Sequence, residues 1–417
     1  MIAKVCAALQ ISPRALPLIC LIGAEFLSQL GNQIAAIAIP ILVLQFTHSV
    51  IATGIAGAGS IIPIVLAAFI GGKAIDRFGA WQVSIIADVF SSLSVLLLPF
   101  IFIEFKSVSL IFIFLLVFIG ALFDPTAVSA RHTLVPKFVR LAGIPLDKVN
   151  GYRGSLENGA DLLGPIVGAG LISWIGTVNT LFVNAASFFV CAVVFAIAVP
   201  RSRHQEFKHE KVEPIAGIRF ILQQRQLRSL TFSGMVLNFV LLPFLSLLLP
   251  VLATQKFANP ALLGLCLAGF GMAATLGALS YTRLTKRFSR SVIYYSGLLL
   301  TAIAILLCAI VETPTALILA VSFGGLLLGA GNPLEQTILQ EVTPSRIAGQ
   351  VFTSHSAIAF TAGIFGLLIA GVIAELTSIE WVLSLNGSLL AITAAIGWYF
   401  MPLLDCIRAT GHNRRSS

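Results

Sequence analysis

Apolar residues run along this chain in blocks of about 20 or more, the length a helix needs to cross a bilayer core, and short polar clusters separate the blocks. The pattern recurs from one end to the other. It predicts membrane helices near 17–46, 50–72, 82–104, 108–133, 150–174 and 178–199, and again near 229–254, 260–282, 291–311, 314–340, 347–374 and 380–402. The expected fold is an all-α membrane protein with twelve transmembrane helices in two six-helix halves. No stretch is left over for a sizeable soluble domain. The chain divides into a bundle at 1–200, a linker at 201–228, a second bundle at 229–402 and a tail at 403–417. From Pro214 to Leu230 the linker reads as an amphipathic interfacial helix, with a solvated linker helix as the alternative; Ile215, Ile218, Ile221 and Leu222 are its apolar positions and Arg219, Gln223, Gln224, Arg225 and Arg228 its polar ones.

The halves are related. The fourth expected helix ends on Asp124-Pro125 and reaches Pro136; the tenth ends on Asn332-Pro333 and reaches Pro344 at the same spacing. Two homologous halves are the mark of a transporter built from parallel repeats.

Hydrophobic residues make up 58% of the chain and charged residues 10%, with a net charge of +9. The excess of Lys and Arg could suggest nucleic acid, but topology accounts for it. With the N-terminus inside, the expected outer loops hold only Lys106 and Lys256 as basic residues. The other basic residues fall at inner ends, which is the positive-inside pattern. It places both termini in the cytoplasm and the protein in the cell's inner membrane. The six cysteines are scattered, so neither a disulfide framework nor a metal site is expected. No cofactor is implied. The histidines are dispersed and no phosphate-binding loop is present, which argues against a polytopic membrane enzyme and against ATP drive.

Four groups of residues carry candidate chemistry. Gly71 to Trp81 holds Lys73, Asp76 and Arg77 between two apolar runs. Each such charge would cost roughly 2.5–3.5 kcal/mol at a bilayer centre, so the stretch reads as a charged hairpin at the inner face. Gly72 allows close approach and Gly79 a turn. Asp76 is expected to pair with Arg131 and to face the N-terminus of the eleventh helix near Arg346. In the first helix, Gln29, Asn32 and Gln33 lie at membrane depth and read either as hydrogen-bonding groups between helices or as the lining, with Asn332 and Gln336, of a substrate cavity. The fifth helix carries Gly164, Pro165 and Gly168, a small-residue stripe beside a kink. Glu157, one turn after Arg153, reads as its ion-pair partner. Asp161, Glu335 and Glu25 are membrane-depth acids expected to carry a coupling proton. A buried hydrogen-bonded acid is the competing reading for each. Asp124, a further candidate, reads first as an acid that caps or pairs locally.

The spacing Gly72-x-x-x-Asp76-Arg77-x-Gly79 resembles the loop 2–3 signature of the major facilitator superfamily, although Ala80 and Trp81 stand where two basic residues usually follow. Gly164-Pro165-x-x-Gly168 resembles the fifth-helix signature of antiporters in that superfamily. Leu134-Val135-Pro136, Val149-Asn150-Gly151, Asn184 to Phe188, Gln340 to Pro344 and Gly349 to Phe352 extend the resemblance over nearly the whole chain. It points to the drug/proton antiporter branch, which includes macrolide efflux proteins and the enterobactin exporter. The resemblance implies a secondary active transporter working by alternating access, with proton-coupled efflux of an amphipathic organic compound such as a drug, macrolide or siderophore-like molecule. Its partners would be that small molecule, protons and membrane lipid, with the protein a monomer and no nucleic acid involved. A facilitator or flippase for a lipid-like solute is the alternative, and a polytopic membrane enzyme a remote one.

Overall fold

A computed structural model describes residues 14–47, 61–104, 110–201, 215–259 and 261–399. The start of the expected second helix, residues 202–214 of the linker and the tail lie outside the described residues. Within them every regular element is helical: α1 (Leu16–Thr47), α2 (Ile61–Phe78), α3 (Ala80–Glu104), α4 (Leu110–Ala142), α5 (Leu146–Ile175), α6 (Thr177–Ala198), α7 (Ala216–Gln223), α8 (Arg225–Pro243), α9 (Ala261–Arg287), α10 (Arg290–Ile310), α11 (Pro314–Gly329), α12 (Gly331–Val342), α13 (Ala348–Leu376) and α14 (Ile379–Tyr399). Nine helical spans among the described residues are long and apolar enough to cross a membrane. Their outer faces are apolar too: Ile197, Leu319 and Leu376 are all exposed. A helix that is hydrophobic all round is built to be covered on every side, as lipid does.

Several boundaries differ from the sequence reading. Gln224 is extended (φ −87°, ψ 113°), so the short α7 stops there and Arg225 to Leu230 join the long α8 rather than an interfacial helix. Beyond Pro243, α8 continues through a π-turn at Phe244–Leu248, a short helical stretch at Leu249–Val251 and a second π-turn at Leu252–Lys256. The 314–340 span is broken at Ala330 rather than at Pro333, which sits in the opening turn of α12 where its missing N–H costs little. By contrast, α4 runs unbroken through Pro125 and Pro136 to Ala142.

The helices cluster into two units. The first holds Met1–Pro145, Leu163–Ile218 and Thr343–Ser354; the second holds Leu146–Leu162, Arg219–Val342 and His355–Ser417. In the first unit Ala38, Leu42, Val43, Leu98, Leu116 and Leu181 form a buried core. A smaller cluster of Ile75, Val83 and Ala130 lies at the hairpin. The second unit buries Leu227, Leu248, Leu298, Ile305, Leu383 and Leu390. There α9 and α11 meet almost backbone to backbone: a Cβ on Gly277 would lie 2.1 Å from the Leu326 carbonyl oxygen.

Candidate functional site

The hairpin between α2 and α3 turns on Gly79, whose φ of 89° suits a residue without a Cβ. In the last turns of α2, Asp76 faces the start of α13. Its Oδ1 accepts the Gly349 N–H at 3.0 Å and its Oδ2 the Gln350 N–H at 3.3 Å. The first N–H groups of a helix have no partner within it, so Asp76 supplies from another helix what an N-cap residue supplies locally. Asp76 lies past the apolar run of α2, and burial pushes its carboxyl up to about 7 against the pull of the two N–H groups. The approach is close. A Cβ on Gly72 would lie 2.8 Å from Gln350 Cα, and one on Gly349 would lie 2.7 Å from Ile75 Cβ. Arg77 is exposed, its guanidinium 5.3 Å from the centre of the Phe78 ring.

The expected pairing of Asp76 with Arg131 is not made. Arg131 is fully buried and is held by Asp88 of α3, with its Nε donating to Ser84 at 3.3 Å. Asp88 and Ser84 lie on one helical face four residues apart and reach the guanidinium from the side. Trp81, standing where the signature usually has a basic residue, donates its indole N–H to the Val199 carbonyl at 2.8 Å and lies under Arg201. A cation from the end of α6 is thus brought to the position where the hairpin lacks one.

A second clasp lies in the other unit, at the start of α5. Arg290 forks between two acids: Nη1 donates to Glu341 at 2.5 Å and Nη2 to Asp147 at 3.1 Å. The Tyr281 hydroxyl donates to Asp147 at 2.6 Å. One turn further, the buried Asn150 donates to Thr337 and Gln340 and accepts from Arg153. The repeat-related Pro136 and Pro344 precede α5 and α13, so the two clasped helix starts are counterparts. The loop Lys286 to Arg290, which stands in the second half where the Gly72–Gly79 hairpin stands in the first, has no acid of its own, and here Asp147 and Glu341 supply it.

Each unit also holds a carboxylate–imidazole pair. In the first, Glu25 Oε1 lies 3.1 Å from His132 Nε2. In the second, Glu335 Oε1 lies 2.6 Å from His355 Nε2, and His355 Nδ1 lies 2.8 Å from the Thr231 hydroxyl. His355 is buried, and Tyr294 sits beside Glu335. Sequence reasoning passed over both histidines, along with Asp88, Asp147, Arg290 and Glu341. A lone acid in an apolar run was the available signal for Asp88.

The remaining candidates are spread over both units. Asn32 donates to Asp124 Oδ2 at 2.8 Å, and Gln29 and Gln33 are half-buried on α1. Gly164 and Gly168 bring α5 against α1: a Cβ on Gly164 would lie 2.2 Å from Gln33 Cβ, and one on Gly168 would lie 3.3 Å from Ile34 Cα. Pro165 lies within the continuous α5. Asn332 donates to Glu157 at 3.2 Å, and Gln336 Oε1 is buried without a hydrogen-bond partner. Asp161 is exposed one turn beyond Glu157.

Comparison with known proteins accords with this geometry. The chain is 28% identical to the multidrug efflux pump Tap of Mycolicibacterium fortuitum over 400 residues, 93% of this chain and 96% of Tap. It is 27% identical to Tap of Mycobacterium tuberculosis over 362 residues, covering 85% of this chain and 86% of that one. In fold it is similar to the human organic anion transporter MFSD10 (TM-score 0.75, 17% identity, 92% of this chain and 99% of that one). It is likewise similar to a bacterial homologue of the iron transporter ferroportin in an outward-facing state (TM-score 0.76, 13% identity, 91% and 98%). These relatives are transporters and not enzymes. Residues 15–412 match the family described as transmembrane secretion effector. Helices apolar on all faces, a clasped hairpin of the Gly72–Gly79 type and a match along most of the sequence agree: this chain belongs to the transmembrane secretion effector family of the major facilitator superfamily.

Proposed function

We propose that this protein is a secondary active transporter that exports an amphipathic organic compound, of the kind a multidrug efflux pump handles, in exchange for protons by alternating access. The observation that carries the reading is the carboxylate–imidazole pair in each unit, Glu25 with His132 and Glu335 with His355. A carboxylate and an imidazole within hydrogen-bond distance of each other at membrane depth can pass a proton between them. Asp161, exposed on α5, is the third acid proposed to take part. Gln29, Asn32, Gln33, Asn332 and Gln336 are the polar groups proposed to orient a largely apolar substrate. Gly72, Asp76, Arg77 and Gly79, with Arg131 behind them, form the proposed gate. The clasps on α13 and α5 support alternation, because each is a set of few polar contacts that can be made and broken. The remaining features belong to the same proposal: twelve spans in two six-helix halves, a monomer, the inner membrane and both termini in the cytoplasm.

The test is transport of ethidium in proteoliposomes with an imposed pH gradient. Ethidium movement should follow the gradient in the wild-type protein and lose that dependence in Glu335→Gln. Ethidium that equilibrates without regard to the gradient would instead mark a facilitator and refute the coupling. Gradient-driven transport retained in Glu335→Gln, Glu25→Gln and Asp161→Asn alike would remove all three acids from the coupling.

A further inference from the structure

The first unit buries a cluster in which charges do not balance. Arg131 and Asp88 are both fully buried and paired. Asp124 stands seven residues before Arg131 on the same face of α4, about 10 Å along the helix axis. Side chains on a helix lean toward its N-terminus, so Arg131 leans toward Asp124. Yet the Arg131 guanidinium is spent on Asp88 and Ser84, and its Nη1 is buried without a hydrogen-bond partner. Asp124 Oδ2 accepts from Asn32, a neutral donor, and its Oδ1 is buried without a partner. The fully buried Ser28 lies beside it.

The titratable groups facing this carboxyl and its guanidinium come from four helices: Glu25 of α1, Asp88 of α3, Arg131 of α4 and Cys191 of α6. Glu25 is engaged with His132, and the Cys191 thiol donates to the Ala24 carbonyl at 3.0 Å. One guanidinium therefore serves two acids, Asp88 fully buried and Asp124 half-buried with its Oδ1 enclosed. Taking a second carboxylate out of water without a cation or several donors is costly, as it is for any ion moved into a protein interior. A neutral acid avoids that cost, and one neutral donor on Oδ2 with the other oxygen left to carry hydrogen is what a protonated carboxyl accepts.

We propose that Asp124 is a proton-carrying site, protonated in the arrangement seen here, with Arg131 as its switch. On release, the O–H bond at Oδ1 breaks and the proton leaves to water. The negative charge left on the carboxylate is taken up by Arg131 Nη1. Reprotonation returns the guanidinium wholly to Asp88. As a transport step this deepens the proton-coupled reading above and rests on it; the protonation of Asp124 does not.

Infrared spectroscopy of the full-length protein in lipid reads the protonated carboxyl directly. One carboxylic C=O band should be lost in Asp124→Asn and kept in Glu25→Gln and Glu335→Gln. In Asn32→Leu, which leaves the acid in place but removes the donor to Oδ2, the same band should move to higher frequency. A band that persists in Asp124→Asn, or one unmoved in Asn32→Leu, overturns the site whatever the transport result. In proteoliposomes Asp124→Asn should lose pH-gradient-driven ethidium transport while retaining exchange without a gradient; unchanged driven transport overturns its part in coupling. Wild-type transport that ignores the gradient would sink the proton-coupled function, and the band would still decide whether Asp124 holds a proton.

Discussion

Replacing Gly72 with Ala should release the start of α13 from Asp76. The added methyl would lie 2.6 Å from Thr353 Oγ1 and 2.8 Å from Gln350 Cα. Thr353 can turn away, but Gln350 Cα is backbone. Carbon atoms rest about 3.5–4.0 Å apart, so α13 must retreat by about 1 Å. The two bonds to Asp76, now 3.0 and 3.3 Å, would stretch to roughly 4 Å, beyond useful hydrogen-bond length. Each bond to an ionised carboxyl contributes about 1.5 kcal/mol at the lower end of its range, the end suited to a half-buried group. The seated arrangement should lose about 3 kcal/mol, or about 100-fold in population. The Gly349 and Gln350 amides have Asp76 as their partner, so hydrogen exchange read by mass spectrometry above neutral pH reports the contact directly. Their exchange should accelerate about 100-fold, converted at about 1.4 kcal/mol per tenfold. Gly23→Ala on α1, where a Cβ meets no heavy atom within 4 Å, should change nothing. Unchanged protection at Gly349 and Gln350 in Gly72→Ala would refute the reasoning.

Two further outcomes follow from the clasps. Seating raises the Asp76 carboxyl from 3.8 to about 7, so the seated form binds a proton more tightly than the released form. That proton's contribution to seating is complete below 3.8 and is lost as the pH rises through about 7, which leaves the two amide bonds to the ionised carboxyl. Protection of the Gly349 amide, corrected for intrinsic exchange, should fall over that window, and Asp76→Asn should flatten the profile; a flat wild-type profile would contradict it. Arg290→Lys replaces a fork with a point charge that cannot serve Asp147 and Glu341 together. The loss should be about 2–3 kcal/mol, below the cost for a fully buried pair because both acids are partly exposed. Thermal unfolding in detergent reads it, and an unchanged midpoint would show that the fork contributes little.

Much of the helical layout was legible because apolar runs and their polar breaks are local signals. The hairpin was legible in the same way: Gly79 stands at the turn and Asp76 reaches a helix N-terminus. The partner of Arg131 was not legible, because choosing between Asp76 and Asp88 requires knowing which face of α3 turns toward α4. The carboxylate–imidazole pairs were further out of reach. Glu25 and His132 are 107 residues apart, and nothing local distinguishes His132 from a histidine in any helix. The acid missing from the loop near Lys286 is supplied by Asp147 and Glu341, which only the packing of α5 and α12 against α10 can bring there. The break at Ala330 was not legible, because Pro333 is the stronger breaker in the sequence and at the start of a helix it is no breaker at all.

The two π-turns after α8 bear on the register of everything beyond them. A proline inside a helix lacks an N–H and its ring presses on the carbonyl four residues back. Near Pro243 and Pro250 the backbone instead closes over five residues, as in the Leu249 N–H bond to the Phe244 carbonyl and the Phe257 N–H bond to the Leu252 carbonyl. Each wide turn accommodates one residue more than an α-turn, so each rotates the side chains beyond it by about 100° without ending the helix. Deleting a single residue from Phe244–Leu248 would restore α spacing and carry Leu249 and Leu252, both buried, off the packed face. In this segment the number of residues is therefore as constrained as their identity: a one-residue deletion would be felt more severely than most substitutions.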